Sequence, residues 1–164
     1  MKARRKRCWM QKANVDAIKR LRDETGAGVL EVKETLEAHN GNETAALADL
    51  MKNASAKAAK KQDRIASDGL IYSYIHTGGK VGTLVHLSCE TDFVAKTDDF
   101  KNLCREIAMQ VCVGDYKDAA EVLSAEYIRD SDKKVGDLII AATAKMGEKI
   151  ELKRFVKFAV GELR

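Results

Sequence analysis

The sequence predicts an α+β fold: an N-terminal module of three helices, then a small three-stranded antiparallel sheet packed with helices. Three observations carry this. Apolar residues recur at three- and four-residue spacing over residues 14–53. The period drops to two over residues 69–89 and again over 149–160. Between those stretches an apolar stripe at helical spacing returns.

The first helix opens at Asn14, a side chain suited to capping free amides, and points Val15, Ile18 and Leu21 one way. "TGAG" at 25–28 breaks it, since two glycines in three residues favour a helix end and a tight turn. A second helix is expected from Val29 to His39 with Val29, Val32 and Leu36 inward, and "NGN" at 40–42 ends it. A third follows, with Ala46, Leu47, Leu50 and Met51 inward. The stretch "ASAKAAKKQDR" at 54–64 has high helix propensity and little apolar content, which reads as a solvated linker helix.

The hairpin comes next. "GLIYSYIH" (69–76) and "VGTLVHLSC" (81–89) flank "TGGK", a four-residue loop with two glycines. Val81, Thr83, Val85, Leu87 and Cys89 face one side of the second strand. Thr97, Asp98 and Asp99 then form a helix start, with acids at the positive end of the helix dipole. Phe100, Leu103, Cys104, Ile107 and Val111 make its apolar stripe. Residues 114–132 read as irregular with a short helix near Ala119–Leu123. A helix over Val135–Met146 ends at Gly147. "KIELKRFVKFAV" (149–160) is a last strand returning to the hairpin, with Ile150, Leu152, Val156, Phe158 and Val160 on one side. The chain thus divides into a basic arm (1–13), a helical module (14–53), a linker helix (54–64) and a core domain (65–164).

Composition narrows the function classes. The formal charge is +4, but residues 1–14 carry +6, so the remainder is −2. The folded part is therefore not basic overall; the alternative reading is a diverged helical-module protein that binds RNA or another partner through the arm and the linker. The four cysteines show no CxxC spacing, which speaks against a zinc site or a disulfide framework. No apolar run approaches the ~20 residues that span a bilayer. The cytoplasm, or an organelle descended from it, is the expected compartment.

No catalytic set emerges. His39, His76 and His86 lie in no pattern with a nucleophile and a carboxylate, and "TGGK" resembles a phosphate loop in composition alone. The expectation is a binding protein, not an enzyme, with no cofactor and no metal. One stretch invites a role: "LSCETDFVAKT" at 87–97 sets Asp92 beside Phe93 where a strand gives way to a helix. Local pattern leaves two readings open, a staple into the core or a wedge turned outward.

Two stretches resemble one family. "LRDETGAGVLEVKETL" (21–36) and "HLSCETDFVAK" (86–96) are similar to the two signatures of elongation factor Ts, and "KMGEKIELKRF" (145–155) resembles its C-terminal strand region. The resemblance implies a ubiquitin-associated-type helical module and a core domain. It implies a guanine-nucleotide exchange factor in translation elongation, whose partner is the GTPase domain of elongation factor Tu. Carried over by position, Arg22, Val29, Leu30 and Lys33 correspond to partner-contacting residues of the module. Thr91, Asp92 and Phe93 correspond to the contact in which an acidic–aromatic pair pushes in near the partner's magnesium site. Short members work as homodimers through the core domain, which the resemblance implies here too. Val156 stands where some short dimers carry a cysteine, so no covalent link is expected. The sequence also departs from the pattern. His86-Leu87-Ser88 replaces Glu-hydrophobic-Asn, Glu34 follows Lys33 where a basic residue is usual, and Val29-Leu30 replaces a frequent Met-Met. Residues 114–132 are short, without the family's long insertion.

Overall fold

A computed structural model describes residues 15–161; the basic arm and the expected cap at Asn14 lie outside the described residues. Helix α1 covers residues 15–25. Helices α2 (Val29–Ala38) and α3 (Glu43–Ala59) follow. Their shared core is small: Ala17, Leu21, Ala27, Val32, Leu36, Ala46 and Leu50. About 40 residues is close to the smallest unit that can bury a core of its own. Exposed ion pairs between helices, Arg20–Glu43 and Lys57–Glu31, both at 2.7 Å, add little to it. The module leans on its neighbour. Gly26, at φ +68°, lies so close to the later helix at 135–146 that an added Cβ would sit 2.4 Å from the Ala141 carbonyl oxygen.

The module departs from the sequence expectation in two places. Val29 and Val15 are exposed rather than inward. Both sit at the first described turn of their helices, a place that periodicity alone does not distinguish from the buried turns. Helix α3 also runs straight through residue 53 and stops at Ala59, with turns at 60–63. Its continuation is solvated on most sides, as expected, with Ala54 as its one buried residue.

The core domain is a three-stranded antiparallel sheet ordered β1 (Asp68–Ile75), β2 (Val81–Cys89) and β5 (Glu151–Ala159). The hairpin register matches the alternation read from sequence, with Tyr72 opposite Val85 and Leu70 opposite Leu87. Between β2 and β5 lie α4 (Asp92–Ala95), α5 (Asp98–Val113) and α6 (Ala119–Ser124). A two-stranded ribbon, β3 (Glu126–Tyr127) with β4 (Asp130–Lys134), and helix α7 (Val135–Met146) complete the chain. Helix α5 starts as expected: the Thr97 side chain accepts from the Phe100 amide, and Asp98 and Asp99 fill the first turn. Phe100, Leu103, Cys104, Ile107 and Val111 are all buried against Val85, Leu87 and Cys89 of β2. Burial pushes the Cys89 thiol up to about 11 and that of Cys104 up to about 12. Both are packing residues that stay protonated at neutral pH.

Strand β5 corrects the sequence reading. Ile150 and Leu152 face the core, but Val156, Phe158 and Val160 do not. The cause is a β-bulge. His86 pairs with Arg154 and Leu87 with Leu152, so Lys153 has no opposite number. One extra residue swaps faces for everything beyond it. Phe155 turns inward opposite Val85, while Val156 and Phe158 turn outward opposite Leu84 and Gly82. The outer face of the sheet thereby displays Ile71, Ile75, Leu84, Val156 and Phe158.

The β3–β4 ribbon was not visible in the sequence. A buried side chain of α5 is one of its anchors, beside the Tyr127 hydroxyl that donates to Glu106. Gln110 donates to the Glu126 carbonyl at 3.0 Å and accepts from the Ile128 amide at 2.9 Å. A second donation, at 2.7 Å, goes to the Tyr116 hydroxyl.

Candidate functional site

The corner between β2 and α5 carries the most exposed aromatic side chain of the described core domain. Cys89 ends the strand inside the core, and Thr97 begins the next long helix. The seven residues between must reverse direction. They do so through α4, a single turn whose one buried residue is Ala95. With Ala95 inward, Phe93 has to point away, and it is 80% exposed. This disposes of the core staple, which would have required burial. Asp92 stands beside it, half-exposed and hydrogen-bonded to Lys96 one turn on. That bond holds the Asp92 carboxyl below the usual carboxylate range and raises Lys96. Asp92 is therefore an anion throughout the physiological range.

The base of the corner is tied down. Glu148, in the turn between α7 and β5, accepts hydrogen bonds from the amides of Glu90 and Thr91 and from the Thr91 hydroxyl. Glu90 in turn accepts from the Lys149 amide at 2.6 Å and pairs with Arg64 at 3.3 Å. The Lys149 amide is the largest reason that the Glu90 carboxyl titrates below its ordinary value. Neither Glu148 nor Lys149 was singled out from sequence. They lie far along the chain from Glu90, and "GEK" carries no local pattern that announces a distant partner.

A second exposed group lies on the helical module. Leu30 and Val29 are 67% and 52% exposed in the first turn of α2, with Lys33 one turn beyond on the outward side. Lys33 is 3.9 Å from Glu37, a loose pair that leaves its charge displayed. Arg22 is exposed on α1. The seven residues singled out from sequence thus fall into two sets, one per module. Among the described residues no hydrogen bond or ion pair joins one set to the other.

The linker cations are partly engaged inside the protein. Lys57 pairs with Glu31, Lys61 donates to the Thr143 carbonyl and Arg64 meets Glu90. A phosphate backbone would have to compete with those partners. A cleft of about 550 Å³ lies between the modules, lined by α1, α3, α5, β4 and α7, but none of the seven residues lines it. Two ion pairs cross it, Lys133 with Glu24 and Lys145 with Asp99. Among the described residues, no group of three His, Cys, Asp or Glu side chains could hold a metal ion. No helix there is long and apolar enough to cross a membrane.

Fold and surface together define an α+β protein that displays side chains on a rigid corner and a helix end rather than gathering them in a pocket. Comparison with known proteins gives that class a family. Residues 90–163 match the family model described as Elongation factor TS. The chain is 37% identical to an elongation factor Ts from Thermoanaerobacter sp. (strain X514), covering 91% of this chain and 95% of the relative. It is 36% identical to one from Syntrophomonas wolfei, with 90% of both covered. A chloroplastic elongation factor Ts from Pyropia yezoensis is 34% identical over 90% of this chain and 88% of the relative. The chain belongs to the elongation factor Ts family, and its place is in translation elongation. The first alignment spans 194 positions against a chain of 164, so the two sequences differ by inserted segments.

Proposed function

We propose that the chain is a guanine-nucleotide exchange factor that binds elongation factor Tu in its GDP-bound state and promotes GDP release. The observation that carries this is Phe93, displayed at 80% exposure on a corner whose base is fixed. An exposed Phe on a rigid mount costs the free protein solubility and contributes little to its folding. Its use lies in a partner.

A GDP-bound GTPase holds its nucleotide through phosphate-loop amides, a lysine and Mg²⁺. Phe93 driven between side chains of the GTPase domain shifts a packed helix, because cores switch between arrangements instead of deforming smoothly. Asp92 brings a negative charge toward the magnesium region. The magnesium and phosphate contacts weaken together. A factor that favours the nucleotide-free form lowers nucleotide affinity by the same ratio, by linkage. Arg22, Val29, Leu30 and Lys33 supply the second contact, which holds the partner while the corner acts. The chain makes and breaks no covalent bond in this cycle. It works where ribosomes work, in the cytoplasm or in an organelle.

The outer face of the sheet supports a homodimer through the core domain. Ile71, Ile75, Leu84, Val156 and Phe158 form an apolar surface across all three strands, and a second copy would present the same surface in return.

The test is direct. Elongation factor Tu loaded with fluorescent GDP is mixed with the chain and excess unlabelled GDP, and release is followed. The proposal requires faster release that saturates with chain concentration, and a nucleotide-free complex that added GDP dissolves. Release at the spontaneous rate, with no isolable complex, would refute it.

A further inference from the structure

We propose that Glu148 is the positioning residue of the corner: its carboxylate sets the direction in which Phe93 projects. The inference rests on the exchange-factor reading and deepens it.

Helix α4 has four residues, and a single turn has no stability of its own. Its N-cap, Thr91, makes no side-chain capping bond to the helix. The hydroxyl that could cap is instead given to Glu148 Oε1 at 2.6 Å. The other oxygen, Oε2, receives the Glu90 amide at 3.1 Å and the Thr91 amide at 3.0 Å. Three donors from two successive residues therefore converge on one side chain. Bonds to an ionised acceptor are the shorter and stronger kind. The return contact makes the hold reciprocal, since Glu90 Oε1 accepts the Lys149 amide at 2.6 Å. Lys149 also donates from its ammonium to the Gln62 carbonyl at 2.6 Å, and Arg64 meets Glu90. Three stretches distant in sequence, 62–64, 90–91 and 148–149, thus meet at the foot of α4. Phe93 is two residues from this junction. A rotation there would swing its ring out of line while leaving the buried core untouched.

The experiment compares five variants of the full chain, with fluorescent-GDP release from elongation factor Tu read as a maximal rate and a half-saturating concentration. Glu148→Ala is expected to lower the maximal rate about tenfold and to move half-saturation less than about threefold, because displacement of a positioned group costs rate before affinity. Glu148→Gln keeps an acceptor for the two amides, and the Thr91 hydroxyl can turn to accept from its amide group; it is expected to keep at least about half the rate. Phe93→Ala with Glu148→Ala is expected to fall no more than about twofold below Phe93→Ala alone, since a positioning residue has nothing left to position. Thr91→Val, which removes the hydroxyl limb, carries the test if Glu148→Ala fails to fold, with an expected loss of about threefold in maximal rate and a smaller move in half-saturation, whereas loss of a direct partner contact would move half-saturation first. A full maximal rate in Glu148→Ala or, failing that variant, in Thr91→Val overturns the inference. So does a double variant in which the two losses simply multiply. Should Phe93→Ala itself retain full activity, the exchange reading of the corner fails instead, a result distinct from either.

Discussion

Gly26 holds the helical module against α7, and its replacement by alanine isolates that contact. Two costs arise at this position. Its φ of +68° is a left-handed conformation, which costs an ordinary residue about 1–2 kcal/mol. The added methyl would also stand 2.4 Å from the Ala141 oxygen, 2.7 Å from the Lys145 amide nitrogen and 2.8 Å from the Lys145 Cβ. Relief requires the α1–α2 turn to back away from α7 by roughly 1 Å, an overpacking cost of about 1–3 kcal/mol. Gly26→Ala is therefore expected to destabilise by about 2–5 kcal/mol in all. Two other glycines serve as internal controls. Gly41 has φ +83° with open space around it, so Gly41→Ala meets only the conformational cost of about 1–2 kcal/mol. Gly28 has φ −68° and open space but caps α2, so Gly28→Ala meets only the weakened cap, about 0.5–1 kcal/mol. Urea unfolding of the three variants gives the ordering. Equal losses in Gly26→Ala and Gly41→Ala would show that the approach to α7 is not a constraint, and the account of how the modules are joined would fail.

Two further predictions concern the sheet and the titrating clamp. Phe158→Ser on the outer face of β5 is expected to convert a dimer to a monomer in sedimentation equilibrium with little change in monomer folding, because this side chain is already 67% exposed; a wild-type chain that sediments as a monomer refutes the dimer. Glu90 titrates below its ordinary value in the fold, so its contribution is fully present above the unfolded-state pKa of about 4.3 and is lost as pH falls through the lower folded value. Thermal midpoints are thus expected to hold down to about pH 5 and to drop below about pH 4, with a shallower drop in Glu90→Gln; parallel curves for parent and variant would contradict the assignment.

The sequence made some of this visible and hid the rest for identifiable reasons. The hairpin and α5 were legible because local and global demands agree there. Alternation in β2 matches its buried face, and Thr97 with two aspartates marks a helix start that the fold uses. Strand β5 was legible as a strand but not in its facing, because the bulge at Lys153 depends on the partner strand and leaves no mark in the alternation. The β3–β4 ribbon, "EY" against "DSDKK", carries no apolar signal. One anchor, Gln110, looks in sequence like a polar interruption of an apolar stripe. At the corner, "ETDF" marked the place, and Ala95 decides the facing of Phe93 once α4 is known to be a turn of helix. Glu148 was invisible because its three bonds cross some 57 residues of chain, and no periodicity spans such a gap.

The wedge role of Phe93 is the central claim, and one variant tests it most directly. About one fifth of the Phe93 side chain is covered, so Phe93→Ala is expected to cost about 0.5 kcal/mol of stability, against about 3–5 kcal/mol for a phenylalanine in a core. The measurement is the rate of GDP release from elongation factor Tu at saturating Phe93→Ala, with a thermal melt of the same preparation. The expected result is a melt within a degree or two of the parent and the loss of most of the stimulation. A variant that melts like the parent and releases GDP at the full stimulated rate would contradict it.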